Sequence, residues 1–339
     1  MTAGQELRVE IHRGADIESV HRVHAVVADR HGSLQTWGDR IRPTIPRSAI
    51  KTIQAIPLVR SGATDAFQIS REELALSCSS HSGEPEHVDA VLRWLGRIGL
   101  SETDLECGPD TPISADATQK LFAGGGTAGA IYNCCSGKHA GFLSVTRHLG
   151  EPTAGYIDRD SPIQRLVTAS IEAFTDVDLS ATAAGRDGCG IPVFALPLER
   201  LAFAMARLVD PTDLDDDIAA ATVPVVDAAQ QAFWVSGTGR TEVDVTAKAT
   251  EPVVMKTGAE GVFMAALPER GLGVALKADD GAARASDAAI RAILGHLGAI
   301  ADEAVQPPPI TNKSGVDVGA IRVTVTTPAP ATMTPSTAP

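Results

Sequence analysis

Over the first 40 residues the apolar positions fall in extended rather than helical order. LRVEIHRG and SVHRVHAVVAD are rich in β-branched residues, and DRHGSLQTW carries a glycine turn between extended runs, so this part reads as strands. At Pro46 the character changes. Residues 46–62 begin polar and continue apolar, which predicts a helix ending at Gly62 with a kink or break at Pro57. ELALSCSS (73–80) reads as a short buried strand or turn before a glycine-containing corner. Val88, Val91, Leu92, Leu95 and Ile98 then recur at helical spacing. Further helices are expected at 138–149, at 160–175 behind Asp160, Ser161 and Pro162, and at 192–209 and 214–235, where Pro197 and Pro224 interrupt the pattern. EPVVMKTG, GVFMAALP and GLGVALKAD read as three successive strands, followed by an Ala-rich helix over 282–301.

Strands at both ends and helices between them predict an α/β (α+β) fold. An antiparallel sheet drawn from about 1–45 and 250–325 packs with a helical region of about 46–249, and residues 1–325 form one catalytic unit. The closing stretch TPAPATMTPSTAP has almost no large apolar side chains, so 326–339 is expected to be a disordered tail.

Composition narrows the classes. Of 339 residues 44% are hydrophobic but only 4% aromatic, so Ala, Val, Leu and Ile must fill the core. A net charge of −13 repels phosphate backbones and excludes nucleic acid as an expected partner. Scattered basic residues, no apolar run of the ~20 residues a membrane span needs, and no apolar core in MTAGQELRVE place the protein in the cytoplasm with no membrane partner. Five cysteines, an odd number, suit free or metal-bound thiols in a reducing compartment.

The candidate chemistry starts at PRSAIK. Ser48 and Lys51 stand three apart, close enough on a helix to touch. A lysine acts as a base only when neutral, so its pKa must be lowered by burial or by nearby positive charge such as Arg47. Taken alone, S-x-x-K also fits the solvated start of a surface helix. Two later stretches change its weight: SCSSHSGE at 77–84, a serine-rich corner holding Ser80, and KTG at 256–258 on a late strand. S-x-x-K, serine corner and K-T-G in this order match the order in penicillin-recognising serine hydrolases.

A second cluster is formed by NCCSGKH (133–139) and GRDGCG (185–190). Cys135 and Cys189 could give two thiolates to one zinc, with His139 or Lys138 as nitrogen donor; general metal chemistry favours His139. Ordinary buried thiols are the other reading. Glycines 185, 188 and 190 let a backbone carrying Arg186 and Asp187 approach a ligand closely.

Taken together, RSAIKTIQAIPLVRSGA, SCSSHSGE, NCCSGKHAGFL, GRDGCGIPVFALPL and KTGAEGVF resemble the rhizobial-type L-asparaginases, the third structural class of asparaginase, from about residue 7 to 325. The resemblance implies the serine β-lactamase and glutaminase-like fold, hydrolysis of L-asparagine to L-aspartate and ammonia, a homodimer, and a zinc near the site. It implies Ser48 as nucleophile with Lys51 as its base, and a second pair at Ser80 and Lys256. It also implies zinc ligands at Cys135, Lys138 and Cys189, which displaces His139 as the metal's nitrogen donor. Asp187 is expected to hold the substrate's amino group, with Arg47, His139 and Gly188 as the other candidate substrate-binding residues. Two alternatives stand beside it: a glutaminase or other serine hydrolase on the same scaffold, and a non-catalytic zinc-binding homologue.

Overall fold

The structure, a computed structural model, describes residues 6–325, and the tail expected at 326–339 lies outside the described residues. Strands β1 (Leu7–Arg13), β2 (Asp16–Asp29), β3 (Gly32–Trp37) and β4 (Pro43–Thr44) open the chain. Helices α1 (Lys51–Gln54), α2 (Ile56–Arg60), α3 (Ala63–Ala66), α4 (Arg71–Ser77), α5 (Pro85–Arg97), α6 (Ala115–Ala123), α7 (Ser136–His148) and α8 (Pro162–Thr175) follow. Short strands β5 (Gly185–Arg186), β6 (Pro192–Val193) and β7 (Leu196–Pro197) lead into α9 (Leu198–Val209), α10 (Asp216–Ala229), α11 (Ala232–Val235) and α12 (Thr241–Thr246). The chain closes with β8 (Val254–Gly258), β9 (Val262–Leu267), β10 (Leu272–Ala278), α13 (Ala283–His296), α14 (Asp302–Val305), β11 (Ile310–Thr311) and β12 (Asp317–Val325).

One antiparallel sheet runs β11-β12-β1-β2-β10-β9-β8, with β3 also paired to β2. The first and last long strands lie side by side, Leu7 opposite Val325 and Val9 opposite Val323. This is the sheet built from both chain ends that the patterning predicts. Alternation sends Val23, Ala25, Phe263, Val274 and Leu276 to a face covered by α13. Val26, Ala28, Met264 and Ala275 point to the opposite face, where α9 and the helical layer pack. The layered arrangement buries both faces of the strands that carry the KTG motif.

Several expectations are corrected. ELALSCSS is no strand: its first part lies in α4, because Ser70 and Glu73 close a reciprocal capping box that starts a helix two residues ahead of Glu73. The helix expected over 46–62 is a 3-10 turn at Arg47–Ile50 followed by α1 and α2. Its break falls at Ala55, so Pro57 sits in the first turn of α2, where a missing N–H costs nothing. Residues 192–197 pair as short strands, and α9 begins only after Pro197. The 214–235 helix splits after Ala229, although Pro224 is accommodated inside α10.

The contact that sets the site is α7 against α4. A Cβ added at Gly137 would lie 2.6 Å from the Leu76 carbonyl oxygen, so only glycine lets the two backbones meet. That approach carries Cys135 and Lys138 up to the serine corner at the end of α4. We expect Gly137→Ala to lower unfolding free energy by about 1–3 kcal/mol, read by urea denaturation. Gly96→Ala, in an exposed part of α5 with nothing within 4 Å of the new Cβ, should instead raise it by about 0.4–1 kcal/mol. Equal effects at the two positions would contradict this account of helix packing.

Candidate active site

The Ser48 segment is a tight turn. Lys51 donates its backbone N–H to the Ser48 carbonyl, so the two residues share one face of the 3-10 turn. Arg47, immediately before Ser48, has φ 52°, a left-handed conformation that non-glycine residues adopt at a cost. β8 rests directly on this turn. A Cβ at Gly258 would lie 2.6 Å from the Pro46 carbonyl oxygen and 3.2 Å from the Ala49 nitrogen. The glycine of KTG is thus what brings Lys256 to the S-x-x-K turn.

Lys51 is buried, and its ammonium donates to the Ser79 carbonyl at 2.5 Å, to Ser80 Oγ at 2.9 Å and toward Cys135 Sγ at 3.1 Å. Lys51 thus lies on the Ser48 turn but is hydrogen-bonded to Ser80, while Ser48 stands half-buried on that turn. Lys256 is not bonded to Ser80 either. Its ammonium donates to the Thr257 carbonyl at 2.8 Å and lies 4.0 Å from the buried carboxylate of Glu242. Burial pushes Lys256 down to about 7; Glu242 opposes that shift, and the charges of Lys51 and Arg240 reinforce it.

The serine corner is held from two sides, by the end of α11 and by the start of α7. Ser80 N–H donates to the Val235 carbonyl, His81 N–H to the Cys134 carbonyl, and Ser82 Oγ to the Ser236 carbonyl. The ring of His81 accepts from Gly83 N–H at Nδ1, so its proton sits on Nε2 and is donated to Ser136 Oγ at 2.8 Å. Burial holds this imidazole down at about 3, so it stays neutral as a fixed strut between corner and α7.

The cysteine motifs also meet. Cys135 is the N-cap residue of α7, and Cys189 sits at the tip of the β5–β6 hairpin, which Asp187 N–H closes onto the Ile191 carbonyl at 2.9 Å. Lys138 Nζ lies 3.0 Å from Cys189 Sγ, and Lys51 Nζ lies 3.1 Å from Cys135 Sγ. Cys135 is held well below the usual thiol range by hydrogen bonds from Cys134 and Cys189, helped by the Lys51 and Lys138 ammoniums. Cys189 is raised, because it donates to Cys135 and is buried. Burial works against the Lys138 ammonium, but its interactions with Cys189, Cys135 and Asp187 outweigh that and raise the pKa. The nitrogen that faces Cys189 is thus Lys138. His139 is fully buried, with its Nδ1 2.6 Å from the Tyr156 hydroxyl.

Arg47 reaches across to the hairpin, its Nε 2.8 Å from Asp187 Oδ1, which also accepts from the N–H of exposed Gly188 at 2.7 Å. Sequence reasoning missed Glu242, Cys134 and the strut His81. The Cys-Cys doublet and the histidine inside the serine corner were visible signals for two of them; Glu242, in RTEVDVT, belongs to no motif.

Comparison with curated protein sequences finds no match. Among solved structures, a β-lactamase from Mycobacterium bovis is similar at 14% identity and TM-score 0.41, covering 81% of this chain and 94% of its own. A β-lactamase from Burkholderia ambifaria is similar at 16% identity and TM-score 0.40, covering 83% of this chain and 96% of its own. A Bacillus glutaminase follows at 11% identity and TM-score 0.38, covering 82% and 91%. These likenesses are loose, and no function is drawn from them. The family model of L-asparaginase II, by contrast, matches residues 9–323, a span that holds the S-x-x-K turn, the serine corner, both cysteine motifs and KTG. This chain belongs to the L-asparaginase II family.

Proposed function

We propose that the protein hydrolyses L-asparagine to L-aspartate and ammonia through a serine–lysine acyl-enzyme. The observation that carries this reading is the meeting of the Ser48 turn, the Ser80 corner and the KTG strand around buried Lys51 and Lys256, in a chain of this family. Ser48 is the nucleophile: it is half-buried, whereas Ser79, Ser80 and Ser82 are all buried. Its oxygen bonds to the side-chain amide carbon, and its proton passes to the lysine system, with Ser80 as the hydroxyl already bonded to Lys51. Backbone N–H groups near Ser48 stabilise the oxyanion. The C–N bond breaks as the nitrogen is protonated, ammonia leaves, and water cleaves the ester. Arg47 and Asp187 set a cation beside an anion, complementary to the carboxylate and ammonium of a free α-amino acid.

The Lys51–Ser80 hydrogen bond favours a second reading in which Ser80 is acylated. Brief acid quench with L-asparagine followed by peptide mapping separates the two, since the aspartyl adduct must sit on one serine.

The donor set fits zinc. Two thiols and an amine lie together, sulfur and nitrogen donors of the kind zinc accepts. Among the described residues no group of three His, Cys, Asp or Glu side chains is placed to hold a metal, so the lysine would be needed as third ligand. Bound by Cys135, Lys138 and Cys189, zinc would supply a positive charge that orients the hairpin bearing Asp187. The proposal also takes residues 1–325 as one catalytic unit of a cytoplasmic homodimer, as the family resemblance and the composition suggest.

Ser48→Ala should lose at least ~10³-fold in kcat while remaining folded. Wild-type activity in the folded variant would remove the nucleophile assignment. Because a protonated Lys256 cannot accept a proton, kcat/KM should climb as pH rises through about 7 and level off above it. Lys256→Arg, charged at every accessible pH, should lose about 10²–10⁴-fold; a profile flat across neutral pH would count against this base. Purified protein should carry about one zinc per chain by mass spectrometry. Cys135→Ser and Cys189→Ser should lose it and Cys107→Ser keep it. Since Lys138 and Cys189 start protonated, zinc uptake by metal-free protein should release protons and weaken as pH falls. Full zinc retention in both ligand variants would abolish the site.

A further inference from the structure

β8 is the last strand of the sheet, so one side of its backbone has no neighbouring strand. At Thr257 that free edge is covered by side chains. Glu242, from the first turn of α12, accepts the Thr257 N–H at 3.0 Å, and Lys256 donates to the Thr257 carbonyl at 2.8 Å. Both side chains are buried, 1% exposed for Glu242 and 0% for Lys256, and their charged atoms lie 4.0 Å apart. An edge strand can be covered by any loop; a buried carboxylate is a costly way to do it. Its cost is justified only by the charge it faces.

We propose that Glu242 is the positioning residue of Lys256, fixing where the amine points and how readily it carries a proton. The geometry gives it two functions. As hydrogen-bond acceptor it anchors the peptide against which the lysine amine is itself tethered. As an anion it offsets the loss of hydration of the ammonium. The other charged groups around the pair act differently. Lys51 from α1 and Arg240 ahead of α12 disfavour the Lys256 proton, while Cys134 beside α7 favours it. Asp287 from α13 is raised to about 6 by burial and by Glu242, so it adds negative charge behind the carboxylate only above that pH. Glu242 lies 4.0 Å from the amine, and among the neighbouring charges it has the largest single influence on the Lys256 proton.

This inference rests on the serine–lysine reading only for its catalytic consequence, and the test separates the two. Glu242→Gln keeps the acceptor for Thr257 N–H and removes the charge. In the full chain with ¹³Cε-labelled lysine, with the Lys256 resonance identified by its loss in Lys256→Met, Lys256 should titrate about 1–3 pH units lower in Glu242→Gln than in wild type. The acid limb of kcat/KM for L-asparagine should move down in parallel. Glu242→Asp keeps the charge on a shorter arm and should restore most of the titration shift, which also serves if Glu242→Gln folds poorly. An unmoved Lys256 titration in a folded variant overturns the proposal. A moved titration with an unmoved rate profile upholds the pair and instead removes Lys256 from the rate-governing step.

Discussion

Three lysine amines end in the interior of this molecule: Lys51 and Lys138 are 1% exposed and Lys256 is 0%. An unpaired buried ammonium costs several kcal/mol, so each must be met by acceptors from segments far apart in sequence. Lys51 takes the Ser79 carbonyl, the Ser80 hydroxyl and a sulfur; Lys138 takes Cys189; Lys256 takes the Thr257 carbonyl and the charge of Glu242. Satisfying these amines ties the end of α4, the start of α7, the β5–β6 hairpin, α12 and the edge strand β8 to one point. The glycines at 137 and 258 exist at this point because backbones must approach closely enough for the amines to reach.

The same crowding supplies chemistry. Burial disfavours the protonated form, and the like charges of Lys51 and Arg240 add to the effect, which is how Lys256 comes to hold its proton only weakly near neutral pH. The sulfurs have the opposite effect on Lys138, whose proton is retained until something replaces it. Two lysines in one cluster are thus set apart by their neighbours, Lys256 toward easier loss of its proton and Lys138 toward keeping it. The neutral strut His81 keeps the serine corner and the cysteine turn in fixed relation, so neither half can shift without the other.

Much of this was legible in the sequence where a pattern is local. The β-branched and apolar runs at both ends, with the helices between them, gave the sheet and its antiparallel character, and the order of PRSAIK, SCSSHSGE, NCCSGKH, GRDGCG and KTG pointed to the segments that meet. What was not legible depends on tertiary contact. The i,i+3 spacing of Ser48 and Lys51 is real, yet the amine turns to Ser80 because a buried ammonium seeks a carbonyl, and the Ser79 carbonyl lies there. ELALS looked extended because its residues are small and apolar, and only the Ser70–Glu73 capping box, read across its boundary, marks it as helix. General metal chemistry preferred His139, whereas the turn of α7 points Lys138 at Cys189 and His139 at Tyr156. Glu242 had no signal at all, since its meaning comes wholly from the strand edge it covers.

The central claim is that this cluster acts on the side-chain amide of asparagine. Its most direct test is ammonia release by the purified, zinc-replete protein with L-asparagine and with L-glutamine under identical conditions. The account predicts turnover of asparagine with kcat/KM well above that for glutamine, because a fixed anchor for the α-amino and α-carboxylate groups at Arg47 and Asp187 favours one side-chain length at the nucleophile. Equal or greater turnover of glutamine, or no ammonia from either, would contradict it.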